Sequence, residues 1–559
     1  MAKRRRLVFL VSVLAFGSLA GGVRGADGLD VAIGLGGRVV PALPAPLRVV
    51  CNGLSEEAVR LRVVQNTGGT WLAGATISYE VPVAPSDAEE CEEVFMIHDV
   101  ALPLRVLLLT ADGRVLARRE VDLRSAKEDG PFPVGVGGFA TRLPEPFALL
   151  SPAELPRAWS AYSAAESVWI GHTRSGLDAD RWDALARWVL SGGSLVVFTG
   201  GDFFLLDAPR LRELLPIVDP ILTTRNERRF LTGDLRGGAA VLASKEGIPW
   251  IVSAPYGVGT VTLVSTDAST LEGDDLSEIR SCVPRARAVS LLGITSDLLD
   301  LQPVRRPNAL AALALVGLSI LALRALAARR GRWRSAAVIG VFGLLTVGSY
   351  LYAAPRALSD AYQTNVRWVV GGSLAASVTC SASVSAARES VAVRVRADGS
   401  PFEVLQPGND RGSYTVSATE GSAWIALAPG ERRLLAVQRD EPSFAQAALT
   451  RQGELLVTSR LPRSVDHALL LLDGEVFALP SLEPGETAWR LGDPLPWGSR
   501  ALGAEGDAID RLFEGVARML PLERGTWLVA GEVTETTSGT EARTSARDIV
   551  LYVIEVERD

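Results

Sequence analysis

Apolar positions between residues 28 and 128 recur in short runs that alternate with polar side chains. Val59 to Val63 alternates apolar and charged residues, and Arg114 to Arg118 does so after an Ala-Asp-Gly turn. Alternation with period two is typical of a strand that buries one face. Glycine, proline and asparagine interrupt the runs at intervals of roughly ten residues, as in small all-β domains. Residues 28–128 are therefore predicted to form a β-sandwich.

The pattern changes from residue 131, where continuous apolar runs alternate with a helical period. Ser167 to His172 and Ser194 to Thr199 are apolar runs, and Asp178 to Leu190 between them places apolar side chains at helical spacing. Asp178 is a suitable N-cap, and Ser191-Gly192-Gly193 ends the predicted helix. Alternating strands and helices are typical of a mostly parallel sheet. Residues 131–300 are therefore predicted to form an α/β domain.

Two longer apolar stretches follow, Asn308 to Ala328 and Ser335 to Ala354. Each is long enough to cross a hydrocarbon core of about 30 Å as a helix. The connector Arg329 to Arg334 contains four arginines, and short basic connectors stay in the cytoplasm. Residues 308–354 are therefore predicted to form a two-helix transmembrane hairpin with its tip in the cytoplasm. The alternative, a buried hairpin in a soluble core, leaves the arginines unexplained.

The N-terminus has the features of an export signal. Lys3 to Arg6 are basic, Leu7 to Ala20 are apolar, and small residues extend to Gly25, which together predict a signal peptide over residues 1–25. An uncleaved anchor is the alternative, and both deliver the following chain outside the cytoplasm. The β-rich pattern of residues 357–559 then predicts a second exported domain, because the hairpin returns the chain to the same side.

Charge and residue inventory exclude several functions. The 57 basic and 64 acidic residues give a net charge of -7 without the basic stripe that nucleic-acid binding requires. The chain has four cysteines and three histidines, and no CxxC or HExxH spacing supplies metal ligands. It also lacks a GxxxxGK[ST] loop and a dinucleotide fingerprint in the required context. We therefore predict no metal, no cofactor and no nucleic-acid partner.

Two cysteines of the predicted sandwich form a candidate disulfide. Cys51 and Cys91 both lie within residues 28–128, and an exported compartment permits their oxidation. The sequence does not fix whether their Cα atoms come within the required distance of about 7 Å. The paired and the unpaired states both remain open.

A set of short segments within residues 131–300 carries a resemblance to a known family. They are Leu155-Pro156, Trp159, Tyr162, Val168 to Gly171, Ala184-Leu185, Trp188-Val189, Gly192 to Val197, Tyr256 to Gly259 and Val264 to Asp267. Through them the α/β segment resembles the class I glutamine amidotransferase-like domain of bacterial envelope membrane proteins. The resemblance implies a flavodoxin-like architecture for residues 131–300. With the topology predicted above, it implies a location in the bacterial cytoplasmic membrane with both large soluble regions on the exported side.

The chemistry of that family requires a cysteine that this domain lacks. In amidotransferases a cysteine on the turn after a strand attacks the amide, assisted by a histidine and a glutamate. The matching turn after Thr199 contains Gly200-Gly201, and no cysteine occurs between Cys91 and Cys282. The resemblance therefore implies a pseudoenzyme without catalytic residues.

One ligand site remains a candidate. Ligands of open α/β sheets bind beyond the carboxyl ends of the strands, and these positions are His172, Thr173, Gly200, Gly201 and Asp202. The alternative is that the two glycines only turn the chain. A serine hydrolase would have to combine His172 with Ser194, Ser265 or Asp267, and no GxSxG elbow is present.

Together these patterns predict a multidomain α/β plus β protein: an N-terminal β-sandwich, a flavodoxin-like α/β domain, a transmembrane hairpin and a C-terminal β-rich region. We expect a non-enzymatic, membrane-anchored envelope protein that binds or scaffolds another envelope protein, with its oligomeric state left open. The alternatives are an accessory subunit of a transport or export system and an exported hydrolase.

Overall fold

The fold is taken from a computed structural model. It describes residues 29–41, 43–51, 60–66, 76–82, 90–139, 143, 146–173, 176–199, 208–226, 228–284, 324, 361–371, 375–385, 391–396, 402–406, 413–417, 422–427, 432–441, 444–450, 452–461, 463–465, 467–494, 526–538 and 544–558. The predicted signal peptide and, apart from residue 324, the predicted transmembrane hairpin lie outside these residues. No helix among the described residues combines the length and apolar character needed to cross a bilayer.

The described chain consists mostly of strands, with few helices, and the strands form several sheets. The first region contains seven strands. Strands β1, β2 and β5 form one sheet, and β3, β4, β6 and β7 belong to a second. The strands are β1 (Leu29–Ile33), β2 (Pro44–Cys51), β3 (Arg60–Asn66), β4 (Thr76–Pro82), β5 (Glu90–Met96), β6 (Leu104–Leu109) and β7 (Val115–Val121).

These two sheets enclose one core. Leu47 and Val49 from the first sheet, and Leu61, Val63 and Val106 from the second, are almost fully buried in the same cluster. Strand β3 buries every second residue, as its alternating sequence predicts. The arrangement is compatible with the predicted β-sandwich.

The candidate disulfide joins neighbouring strands of the three-stranded sheet. Cys51 is the last residue of β2, and Cys91 on β5 lies opposite Val49 in the antiparallel register. The pairing of Cys51 with Cys91 remains a prediction, and it requires the end of β2 to move, because Cys51 is offset by two residues from the position opposite Cys91.

The second region forms a seven-stranded sheet in the order β14-β15-β16-β11-β10-β8-β9, with β12 and β13 as a separate two-stranded sheet. The ladders from β9 to β16 are parallel, whereas β15 and β14 add antiparallel strands at one edge. The elements are β8 (Phe132–Val136), β9 (Ala148–Leu150), β10 (Ala165–Ile170), α1 (Ala179–Leu190), β11 (Ser194–Phe198), α2 (Pro209–Leu214), β12 (Ile217–Arg225), β13 (Arg228–Leu235), β14 (Ala240–Lys245), β15 (Ile248–Tyr256), β16 (Gly259–Val264) and α3 (Gly273–Cys282).

Helices cover both faces of this sheet. The predicted N-cap of α1 is confirmed, because the Asp178 side chain accepts a hydrogen bond of 2.9 Å from the Arg181 backbone N–H. Helix α1 buries Trp182 and Leu185 in the cluster that covers one face. Helix α3 contributes Leu276 and Ile279 to the cluster on the other face. The predicted alternation of strands and helices is therefore observed here.

Glycines let the end of α1 approach the turn between β15 and β16. Gly257 has a φ of +56°, and a Cβ atom there would lie 2.5 Å from the Leu190 carbonyl oxygen. A Cβ atom at Gly193 would overlap the Trp188 ring, and one at Gly259 would overlap the Val189 carbonyl. The predicted turn over residues 256–259 is confirmed, and its glycines are required by close packing.

The third region is built from strands, as the sequence predicts. Its largest sheet has the order β20-β23-β18-β17-β30-β24-β25-β28, and β29 and β26 extend it from β30. The strands are β17 (Ala361–Gly371), β18 (Ala375–Ser385), β19 (Val391–Arg396), β20 (Phe402–Gln406), β21 (Ser413–Ser417), β22 (Ser422–Leu427), β23 (Arg432–Glu441), β24 (Ala445–Leu449), β25 (Glu454–Ser459), β26 (His467–Leu472), β27 (Glu475–Leu479), β28 (Gly485–Arg490), β29 (Thr526–Ser538) and β30 (Thr544–Arg558).

Three strands of the third region complete a sheet of the first. The order is β19-β22-β21-β4-β3-β6-β7, and β21 pairs with β4 in parallel, with Thr415 opposite Ser78. The sequence places residues 28–128 and 357–559 in separate domains. The structure joins them in one sheet. The sequence pattern could not reveal this pairing, because a period of two shows which face of a strand is buried but not which strand lies beside it.

The first region contacts the α/β region through β5. The Arg157 backbone N–H donates a hydrogen bond of 2.7 Å to the Glu92 carboxylate. The adjacent Glu93 lies opposite Leu47 of β2. Burial, together with the nearby charge of Glu92, raises the pKa of Glu93 to about 7.

The raised pKa of Glu93 predicts that stability falls as the pH rises from about 4.5 to about 7, because the folded chain keeps a proton that the unfolded chain releases. Glu93→Gln is expected to flatten this dependence and to raise the free energy of unfolding at pH 8 by about 2 to 3 kcal/mol. Chemical unfolding at pH 5 and pH 8 measures the effect. Glu475→Gln, at an exposed position, is the control, and equal pH dependence in both variants contradicts the prediction.

Candidate functional site

The candidate site lies at the carboxyl edge of the parallel strands. His172 and Thr173 follow β10, and Thr199 follows β11 in the adjacent position. Thr173 and Thr199 are almost fully buried. The other candidates, Gly200, Gly201 and Asp202, lie outside the described residues. The structure therefore places two of the five predicted residues at this edge.

The loops after β8 and β10 are joined by backbone hydrogen bonds. The Gly138 N–H donates to the His172 carbonyl at 2.8 Å, and the His172 N–H donates to the Gly138 carbonyl at 3.0 Å. Strands β9 and β10 lie on opposite sides of β8, so the strand order reverses between β8 and β10. A ligand of such a sheet binds at that reversal. Here the backbone hydrogen bonds between the two loops span the strand reversal.

Small residues allow this closure, and an aromatic ring packs against it. Gly137 has a φ of +81°, and a Cβ atom there would overlap the His172 carbonyl oxygen. A Cβ atom at Gly171 would lie 2.7 Å from the Gly138 carbonyl oxygen and 2.8 Å from the Phe139 ring. Phe139 packs edge to face against Phe198, with 5.6 Å between ring centroids. The ring therefore fills space directly over Gly171.

The hairpin of β12 and β13 contacts the carboxyl end of β16. The Leu231 N–H donates a hydrogen bond of 2.8 Å to the Ser265 carbonyl. Leu231 packs in the cluster on the α1 face of the sheet, whereas its neighbour Phe230 packs in the cluster on the α3 face. Consecutive residues of β13 thus lie on both sides of the sheet end. The sequence pattern does not predict this hairpin, since Asp219 and Pro220 interrupt the alternation within β12.

The serine-hydrolase combinations are not assembled around His172. Ser194 begins β11, at the end of the sheet opposite His172, and its hydroxyl donates to the Pro284 carbonyl at 2.6 Å. The Ser265 hydroxyl donates to the Pro249 carbonyl at 3.0 Å. Asp267 accepts from the Ser269 N–H at 2.8 Å. Each of these side chains has a structural hydrogen bond of its own.

A small groove lies elsewhere in the described chain. It is lined by Phe147, Glu166, Trp169 and Arg280 and has a volume of about 50 Å³, room for a few water molecules. It lies near Pro284, away from His172. Among the described residues, no three His, Cys, Asp or Glu side chains come close enough together to hold a metal ion.

The closed edge predicts that Gly171 does not tolerate a side chain. Gly171→Ala is expected to lower the free energy of unfolding by about 1 to 3 kcal/mol, because the added methyl group meets Phe139 and a backbone carbonyl. Gly130→Ala is the control, since a Cβ atom there meets nothing within 4 Å. Denaturant unfolding compares the two variants. Equal stability would show that the loops after β8 and β10 are not in contact.

No protein-family model matches the chain, and no curated protein matches it either.

Proposed function

We propose that the chain is a non-enzymatic, membrane-anchored protein of the bacterial envelope that acts as a binding or scaffold component. The observation that carries this proposal is the closure of the carboxyl edge of the α/β sheet. Backbone bonds between Gly138 and His172 span the strand reversal, and the hairpin of β12 and β13 contacts the end of β16. A substrate of an α/β enzyme would bind at this edge.

The strand order supports the assignment of residues 131–300 to an amidotransferase-like domain. Numbered along the chain from β8, the parallel strands β9, β8, β10, β11 and β16 follow the order 2-1-3-4-5, which is that of flavodoxin-like sheets. Helices on both faces fit the same architecture. The glycines that carry the resemblance have packing roles here, so they support the fold assignment and not an activity.

The residue inventory supports a pseudoenzyme. The family reaction needs a cysteine thiolate on the turn after the strand that corresponds to β11. The sequence has Gly200-Gly201 at this turn. His172, the domain's histidine, uses its backbone in the bridge to Gly138. A domain that keeps this fold without the nucleophile is suited to binding.

The shared sheet supports the predicted topology. Strands β4 and β21 are hydrogen-bonded neighbours, so residues 76–82 and 413–417 must be in one compartment. The chain between them therefore crosses a membrane an even number of times or not at all. The two apolar stretches within 308–354 provide two crossings. Two crossings after a signal peptide are consistent with the proposal that both large regions are on the exported side.

A pair of introduced cysteines tests the compartment. Ser78→Cys and Thr415→Cys are opposite each other in the ladder, and the double variant is expected to form a disulfide in growing cells, because the exported compartment is oxidising. Ser78→Cys with Ser417→Cys is the control, since two residues of offset separate the Cα atoms too far. Mass spectrometry of the joined peptides identifies the bond. A bond that forms only after purification and added oxidant would contradict export.

Catalytic assays test the pseudoenzyme. The purified full chain is expected to show no turnover of glutamine or of ester substrates above background, because no thiolate follows β11. His172→Ala provides the comparison, since this substitution would abolish a serine-type activity that depends on an imidazole. Turnover by the unsubstituted chain that is lost in His172→Ala would contradict the proposal and favour the exported hydrolase.

A further inference from the structure

Exposed aliphatic side chains are concentrated in one part of the α/β region. Of the eight large hydrophobic residues that are exposed among the described residues, five lie between residues 218 and 242. Ile221 is 63% exposed, more than any of the others. The five residues are named the hairpin patch: Val218, Ile221, Leu235, Val241 and Leu242. Concentration of this kind is typical of an interaction surface.

The hairpin of β12 and β13 is linked to both ends of β14. Near the hairpin tip, the Arg225 side chain donates a hydrogen bond of 2.7 Å to the carbonyl of Glu246, just beyond β14. At the other end, residues 236–239 connect the hairpin directly to β14. A register shift between Val241 and Ala243 leaves Leu242 without an opposite residue on β15. Such a bulge redirects side chains, and Val241 and Leu242 are both exposed.

The ends of the hairpin carry opposite charges. The tip, residues 225–229, contains three arginines and one glutamate. The base contains Asp219 and Asp234, which are exposed. Arg236, beside them, donates its guanidinium hydrogen bonds to the Glu213 and Arg212 carbonyls of its own chain. Six residues of extended strand separate Asp219 from Arg225 by about 20 Å, so these groups cannot pair within one hairpin. A partner with a uniformly charged surface would match only one end.

We propose that the hairpin patch binds a second copy of this chain through a two-fold axis. An antiparallel arrangement brings the two apolar centres together and places the basic tip of each hairpin beside the acidic base of the other. A two-fold contact pairs the same surface with itself and makes each such charge contact twice. The hairpin can form such a contact, because in an antiparallel pair the basic tip of one copy lies beside the acidic base of the other.

The proposed contact between two hairpin patches is small, so its formation depends on the local concentration of the chain. The five residues of the hairpin patch and the charged groups beside them are fewer than the roughly 20 to 30 residues that each partner contributes to a standard interface. Dilute purified protein is therefore expected to dissociate. Confinement to a membrane raises the effective concentration of one copy around another. The expected association in membranes rests on the proposed function, because it requires the membrane anchor. The charge pattern of the hairpin patch does not depend on whether the chain is a pseudoenzyme.

Cysteine crosslinking in membranes tests the contact. Full-length chain with Ile221→Cys, treated in native membranes with a short bismaleimide, is expected to give several-fold more dimer-sized adduct than the Leu149→Cys control. Leu149 is 58% exposed on the edge strand β9, outside the patch. The unsubstituted chain measures the background from native cysteines. Absence of a dimer-sized adduct, or an adduct mainly with a different protein, would overturn the proposal.

Charge reversal separates pairing from misfolding. In the Ile221→Cys chain, Asp234→Arg and Arg229→Asp are each expected to reduce the adduct several-fold, because like charges then meet across the axis. The combined variant is expected to restore it. Asp219 is left unchanged, since its φ of +47° disfavours most side chains. A combined variant that crosslinks no better than the single variants would overturn the proposal. The assays of turnover and of the β4-β21 disulfide report on the proposed function separately.

Discussion

The ladder between β4 and β21 is the constraint on which the arrangement of the protein depends. It makes one sheet from segments on either side of the two apolar stretches. Side chains of β4 and its neighbours then form one side of the first core, while β1, β2 and β5 form the other. Strand pairing is directional and needs continuous register, so this contact specifies position more closely than apolar packing alone. The first and third regions are thereby parts of one structure.

In the α/β region, the described loops after β8 and β10 cover the strand reversal at the carboxyl edge of the sheet. The parallel order brings the ends of β8 and β10 together, and glycine at 137 and 171 allows their loops to touch. Phe139 and the hairpin of β12 and β13 then occupy positions at the same edge. The fold is maintained by buried apolar clusters on both faces, which do not depend on catalytic groups. The same architecture can therefore persist with or without catalytic groups.

Local patterns in the sequence predicted local structure well. The helical spacing and N-cap of α1, the apolar runs of β10 and β11, and the glycine turn before β16 each involve neighbouring residues. The pairing of β21 with β4 was not predicted, because alternation does not encode a distant partner. The closure of the candidate site was missed for a similar reason. It depends on contacts from Gly138 and Phe139 to His172 and Gly171, which lie more than 30 residues further along the chain. Glycines followed by an aromatic residue carry no specific signal for such contacts.

The shared sheet also has a consequence for biogenesis. Strand β4 is synthesised 330 residues before β21, counted from Pro82 to Ser413. At 5 to 20 residues per second, that interval lasts roughly 15 to 65 s. Throughout it, the edge of β4 that β21 later covers has unpaired N–H and C=O groups, which can pair with other chains. A chain interrupted before residue 413 keeps that edge permanently. Premature termination therefore produces an aggregation-prone fragment, and the nascent protein depends on protection of β4 until its distant neighbour arrives.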